Sequence, residues 1–138
     1  MRRVNLIMLF NNARDRVLMC VRRRDPYAGL SNFVGGKVCA DESGLTAAYR
    51  ELFEETGVTE DDVALTHMID YHFRVDNVIV EVYVGALRHE KNVFGNENEL
   101  YWCDLGQNFF DVSRFAGEGN VGHMIELVKY YGAAVFMD

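Results

Sequence analysis

Residues 36–58 read GKVCADESGLTAAYRELFEETGV, and this stretch decides how the rest of the chain folds around it. Asp41-Glu42-Ser43 supplies helix-start chemistry, and Gly57 can adopt the left-handed conformation that ends a helix. The spacing therefore predicts a helix from about Ser43 to Thr56. Wound at about 100° per residue, the helix gathers Leu45, Ala48, Tyr49, Leu52 and Thr56 on one side, toward a sheet. Glu51, Glu54 and Glu55 fall on a neighbouring side, because residues three and four apart lie one above another. Arg50 lies one turn before Glu54, near enough to pair with it.

Like charges at this spacing cost a helix a few tenths of a kcal/mol per pair, roughly 0.2–0.5. A divalent cation turns that repulsion into affinity, since Mg²⁺ prefers one or two carboxylates completed by water and substrate phosphate. Gly35-Gly36 lets backbone approach a ligand closely and can offer a carbonyl to the same metal. The plain alternative is a solvated acidic helix face. The double glycine, the isolated Glu42 and the arginine between the first and second acidic groups argue against it.

Working outward, Val4–Phe10 and Arg16–Arg24 read as two strands joined by the turn-prone Asn11-Asn12-Ala13-Arg14-Asp15. Phe33–Val38 reads as a short strand interrupted by glycines. Val63–Phe73 and Val78–Leu87 form a second pair around Arg74-Val75-Asp76-Asn77, with Val78, Val80, Val82 and Val84 on one apolar face. Leu100–Leu105 is a further strand candidate. Met124, Leu127, Val128 and Tyr131 give a closing helix from about Val121 to Tyr131. Strands mixed with two helices imply an α/β or α+β layered domain with helices on both faces of a sheet.

At 138 residues the expectation is a single domain, 1–138, without a transmembrane span or an export signal. Three widely spaced cysteines form no CxxC pair, which fits reduced thiols in a cytoplasmic protein, with Cys20 and Cys103 as small core residues. A net charge of −7 argues against stable nucleic-acid binding by general electrostatics. It leaves room for a phosphate substrate, because a bound divalent ion reverses the local field.

The pattern Gly36, five residues, Glu42, seven residues, Arg50-Glu51-Leu52-Phe53-Glu54-Glu55-Thr56-Gly57-Val58 resembles the Nudix box at every defined position without a gap. The flanking strands and closing helix extend the resemblance over essentially the whole chain. It implies a Nudix-type α/β/α sandwich, with a mixed central sheet flanked by helices. It also implies a hydrolase that uses Mg²⁺, or Mn²⁺, to cleave a phosphoanhydride of a nucleoside diphosphate derivative.

Carried over residue by residue, the resemblance implies Glu54 and Glu55 as principal metal ligands, with the Gly36 carbonyl and Glu51 completing the shell. Glu51 is also a candidate general base, although members differ in which glutamate serves. Arg50 would orient the acidic cluster, and Glu42 would pair with Arg50 or brace the loop. A late acidic ligand is expected at Glu97, with Glu99 as the alternative. Arg22 is the first candidate to contact substrate phosphate, and Gly35, Gly36, Lys37 and Phe33 complete the expected substrate-binding set. Two departures stand out: many members have Pro where this chain has Val34, and Glu where it has Cys39.

Substrate choice lies outside the box. Pro26 is the only proline, so the proline-bearing signatures of the ADP-ribose and NADH-hydrolysing branches are missing. Tyr71 sits too close to the box for the tyrosine of dinucleoside polyphosphate hydrolases. By elimination the chain resembles the MutT-like branch, which converts a nucleoside triphosphate, ordinary or oxidised, to a monophosphate and pyrophosphate. Tyr27, Phe33, Phe73, Trp102 and Phe109, with Asn32 and Asn108, are the candidates for holding a base. Hydrolysis of another nucleoside diphosphate derivative, a non-catalytic nucleotide sensor and RNA 5′-end processing are the rival readings. The expected partner is a small nucleotide, with no membrane, and the chain acting as monomer or homodimer.

Overall fold

A computed structural model of the chain describes residues 1–95 and 98–136. The strands are β1 (Arg2–Phe10), β2 (Arg16–Val21), β3 (Ser31–Asn32), β4 (Thr66–Phe73), β5 (Val78–Ala86) and β6 (Glu99–Asp104). The helices are α1 (Gly44–Thr56) and α2 (Asn120–Tyr131), the latter running into a 3-10 turn at Gly132–Val135. The sheet order is β3-β2-β1-β5-β4, with β6 on β2. It is mixed: β1 and β5 run parallel in register from Arg2↔Val78 to Phe10↔Ala86, and the other pairs are antiparallel.

Period-two alternation along β1 explains the two-layered core. Met8 and Phe10 point to the α2 side, where they meet Val82, Val84, Met124 and Ile125. Ile7 and Leu9 point to the α1 side, where they meet Ala48, Leu52 and Tyr83. Leu52 is fully buried, and truncating it to alanine should cost about 2–5 kcal/mol. Helices on both faces of a mixed sheet agree with the expected sandwich, and Cys20 and Cys103 are buried within it. Among the described residues no helix is long and apolar enough to cross a membrane.

The strand pairing positions the glycines. β1 and β2 meet at Phe10↔Val17, and residues 31–37 then pair first with one strand and then with the other. Ser31 and Asn32 pair with Val21 and Cys20 of β2, after which Val34 and Lys37 bridge to Ile7 and Val4 of β1. The interrupted strand expected at Phe33–Val38 is thus part of a strap that changes partner at Phe33, and its glycines lie within the stretch paired with β1.

One expectation for α1 needs correcting. Leu45, assigned to the buried face of α1, is 45% exposed, while Ala47 is fully buried. The first turn of α1 meets a polar surface there: Leu45 shares a depression with Arg3, Glu81 and Tyr83. Glu81 itself is buried, paired with Arg3 at 2.6 Å and accepting a hydrogen bond from Tyr83 Oη at 3.0 Å.

Candidate active site

Helix α1 is fixed at both ends by its own sequence. Ser43 caps the start by accepting from the Thr46 N–H at 3.1 Å. Gly57 closes the end at φ 79°, its N–H reaching the Phe53 carbonyl at 2.8 Å. With the helix docked through Ala48 and Leu52, its carboxylates line a cleft of about 760 Å³ with Gly35, Gly36 and Lys37. Glu51, Glu54 and Glu55 form the acidic side, and Arg22, Arg23 and Arg24 at the end of β2 form a basic one.

Arg50 is the hub behind this cleft. Its guanidinium meets Glu42 at 2.6 Å, Glu51 at 3.1 Å and Glu54 at 3.2 Å, and donates to the Lys37 carbonyl at 3.0 Å. One side chain therefore ties the loop, the cap region and two helix carboxylates together. Its charge is locked on, because Glu42 above all, and then Glu51, push its ionisation above the ordinary range. Conversely, the Arg50 guanidinium, followed by the Cys39 N–H, lowers the Glu42 carboxyl from the ordinary 4.5 to about 2.

The glycines are required by close approach. A Cβ on Gly36 would fall onto the Glu51 carboxyl group, and one on Gly35 would overlap the Asn5 carbonyl. The Gly36 carbonyl, expected at a metal, accepts from the Asn5 N–H at 2.8 Å, so only its second lone pair is left for a ligand.

Among the described residues, no group of three or more His, Cys, Asp or Glu side chains is gathered tightly enough to hold a metal alone. Glu51 and Glu54 are instead drawn toward Arg50. The donor set is nonetheless one of hard oxygens facing an open cleft. That composition fits a Mg²⁺-type ion taking part of its shell from water and phosphate.

Of the expected site residues, Arg22, Gly35, Gly36, Lys37, Glu51, Glu54 and Glu55 line one cleft, with Arg50 and Glu42 behind it. Phe33 does not join them. It is 2% exposed in the core under α2, so its ring offers no surface to a substrate. Glu97 lies outside the described residues. Glu99 opens β6, opposite Val21, and the neighbouring Asn98 lines the cleft.

A second cavity, of about 310 Å³, opens between the sheet and α2. Its apolar walls include Val4, Leu6, Tyr71, Phe73, Val80 and Met124, and its polar rim includes Asn32, Glu118 and Asn120. Tyr27 Oη donates to the Glu118 carboxylate at 2.6 Å across the mouth. Of the base-holding candidates, Tyr27, Asn32 and Phe73 line this cavity. Phe109 is core, Asn108 accepts locally from the Phe110 N–H, and Trp102 lines other depressions. Asn32 at the cavity and Gly35 at the cleft are three residues apart on one strap.

Sequence reasoning missed Asn5, which accepts from the Gly36 N–H through Oδ1 at 2.8 Å. Its signal was a lone amide inside the apolar run of β1. Glu118 was also missed, because no local pattern reveals which surface a distant loop meets.

Comparison with known proteins agrees with this fold. The zebrafish (Danio rerio) oxidized purine nucleoside triphosphate hydrolase is 36% identical over 92 residues, which is 65% of this chain. The chain spans 59% of that relative's length. A solved MutT, from work on Aliivibrio salmonicida and Vibrio cholerae, superposes with a TM-score of 0.69 at 21% identity, covering 94% of this chain and 98% of the other. A C. elegans Ap4A hydrolase superposes with a TM-score of 0.74 at 17% identity, covering 97% and 99%. Both likenesses concern the fold. The NUDIX domain profile matches residues 1–121, so the chain belongs to the NUDIX domain family.

Proposed function

We propose that this chain hydrolyses the α–β phosphoanhydride of a purine nucleoside triphosphate, ordinary or oxidised, to a monophosphate and pyrophosphate. The observation that carries this reading is the placement of an acidic, arginine-edged cleft and an apolar cavity along the one strap from Asn32 to Gly36. A nucleotide needs both: charge complementarity for the phosphates, and a concave apolar slot with a few polar groups for the base. The name of the zebrafish relative supports the same substrate class.

Glu54 and Glu55, with Glu51 and the second lone pair of the Gly36 carbonyl, are the groups that would hold Mg²⁺ or Mn²⁺. The bound ion would neutralise diphosphate charge and lower the pKa of its water. Arg22 and Lys37 line the cleft and are the groups that would take phosphate oxygens. Glu51, its side chain only 13% exposed, is the candidate to accept the proton of the attacking water. Water oxygen adds to one phosphorus of the anhydride while the bridging oxygen leaves with the other. Arg50 holds Glu51 and Glu54 in place through its ion pairs with both.

The test is product analysis on a panel of purine triphosphates, oxidised purine triphosphates, ADP-ribose and a dinucleoside tetraphosphate, each with Mg²⁺ and with Mn²⁺. Fastest release of pyrophosphate from a purine triphosphate is expected. Faster turnover of ADP-ribose or the dinucleotide would reassign the substrate. Tight binding of one nucleotide without turnover would make the chain a sensor.

A further inference from the structure

Asn5 interrupts β1 between Val4 and Leu6, and it is 2% exposed. Both backbone polar groups of Gly36 end on this one residue. The Asn5 N–H donates to the Gly36 carbonyl at 2.8 Å, and the Gly36 N–H donates to Asn5 Oδ1 at 2.8 Å. In a regular antiparallel rung the Gly36 N–H would reach the Asn5 carbonyl. That carbonyl instead faces the Gly35 α-carbon, where a Cβ would overlap it. The side-chain amide thus replaces the main chain at one rung of the ladder.

The substitution comes at a cost. Asn5 Nδ2 is buried without a hydrogen-bond partner, a state that ordinarily costs about 1–3 kcal/mol. A leucine would avoid that cost but leave the Gly36 N–H unpaired. A serine or threonine hydroxyl sits a bond closer to the backbone and falls short. Aspartate would reach, but as a buried charge, because the neighbouring Arg3 is committed to Glu81. Asparagine is the uncharged side chain whose acceptor spans the gap.

What it holds in place is the floor under the acidic cluster. The Gly36 α-carbon abuts the Glu51 carboxyl group so closely that no Cβ fits between them. We infer that Asn5 is a positioning residue: it pins Gly36 against β1 and so sets where the Glu51 carboxylate stands in the cleft. This inference rests on the function proposed above.

Asn5→Leu and Asn5→Ser test it, with kcat, nucleotide KM and the Kd for Mn²⁺ alone measured on each folded variant. Both should lower kcat about tenfold, with KM changing less than about twofold and Mn²⁺ binding weakened at least about threefold. A purely structural role would lower Tm while leaving kcat and the Mn²⁺ Kd at wild-type values, and would overturn the inference. A third measurement needs no variant: on titrating the wild-type protein with Mg²⁺, the Gly36 amide and the Asn5 side-chain NH₂ resonances should shift together. Failure of the Asn5 pair to move would also overturn it. If the wild type hydrolyses nothing on the panel, the functional reading falls, while the two metal titrations still decide the role of Asn5.

Discussion

The Arg50 guanidinium grips the Glu42 carboxylate with two hydrogen bonds, Nη2 to Oε1 at 2.6 Å and Nε to Oε2 at 3.1 Å, across eight residues of chain. Paired donors meeting paired acceptors fix orientation as well as distance. The loop between Gly36 and Ser43 is therefore held to the flank of α1 that faces the acidic cleft.

The pair predicts an acid-sensitive step in stability. Glu42 has a folded value of about 2 against an ordinary 4.5, so the folded chain binds its proton less readily. The stabilisation is fully present above about pH 4.5 and is lost as pH falls toward 2. Asp62, lowered to about 2 chiefly by the Thr59 N–H, contributes in nearly the same window. Thermal melts of Glu42→Gln between pH 2 and 6 should show a shallower acid decline than wild type, and adding Asp62→Asn should flatten it further. An unchanged slope in the double variant would contradict this assignment.

Arg50→Lys should lower kcat about a hundredfold while the far-UV spectrum stays native. An ammonium cannot reproduce the planar fork that serves Glu42, Glu51, Glu54 and the Lys37 carbonyl together. Steady-state kinetics beside a melt separate the two effects. A variant within about threefold of wild type would show that the hub is dispensable.

Gly57→Ala should cost about 1 kcal/mol, or about 4 °C in Tm. The cause is φ 79° alone, because a Cβ there would meet only Phe94 Cδ2 at 3.8 Å, an ordinary contact. Calorimetry decides it, and an unchanged Tm would contradict a left-handed helix end.

Asn32→Ala should raise the KM for the favoured nucleotide about tenfold and change kcat less, because its amide edges the cavity assigned to the base. Trp102→Phe should change KM less than twofold, since Trp102 lines other depressions. The opposite ranking would move the base site to the β6 surface.

What the sequence disclosed follows the range of the interactions. The limits of α1, its caps and the alignment of Glu51, Glu54 and Glu55 depend on neighbours within four residues, and all were legible. The strap from Ser31 to Lys37 was legible only as an interrupted strand, because its change of partner depends on where β1 and β2 meet and part. Phe33, expected at the substrate, turns its ring into the α2 core, a direction that nothing local shows. Glu81 falls on the face of β5 opposite Val78, Val80, Val82 and Val84, and nothing local reveals that Arg3, 78 residues away, pairs with it. The cavity draws its walls from both ends of the chain, so Met124 is legible as a helix position but not as a cavity wall, and Glu118 gives no local signal.

The most direct test of the central claim compares metal-dependent phosphoanhydride cleavage by the wild type and by Glu54→Gln, using the best nucleotide of the panel, with Mg²⁺ saturating and then removed by chelator. The account predicts pyrophosphate release from the wild type that stops on chelation, and at least a hundredfold loss in Glu54→Gln with an unchanged melt. Full activity in Glu54→Gln, or in chelator, would contradict it.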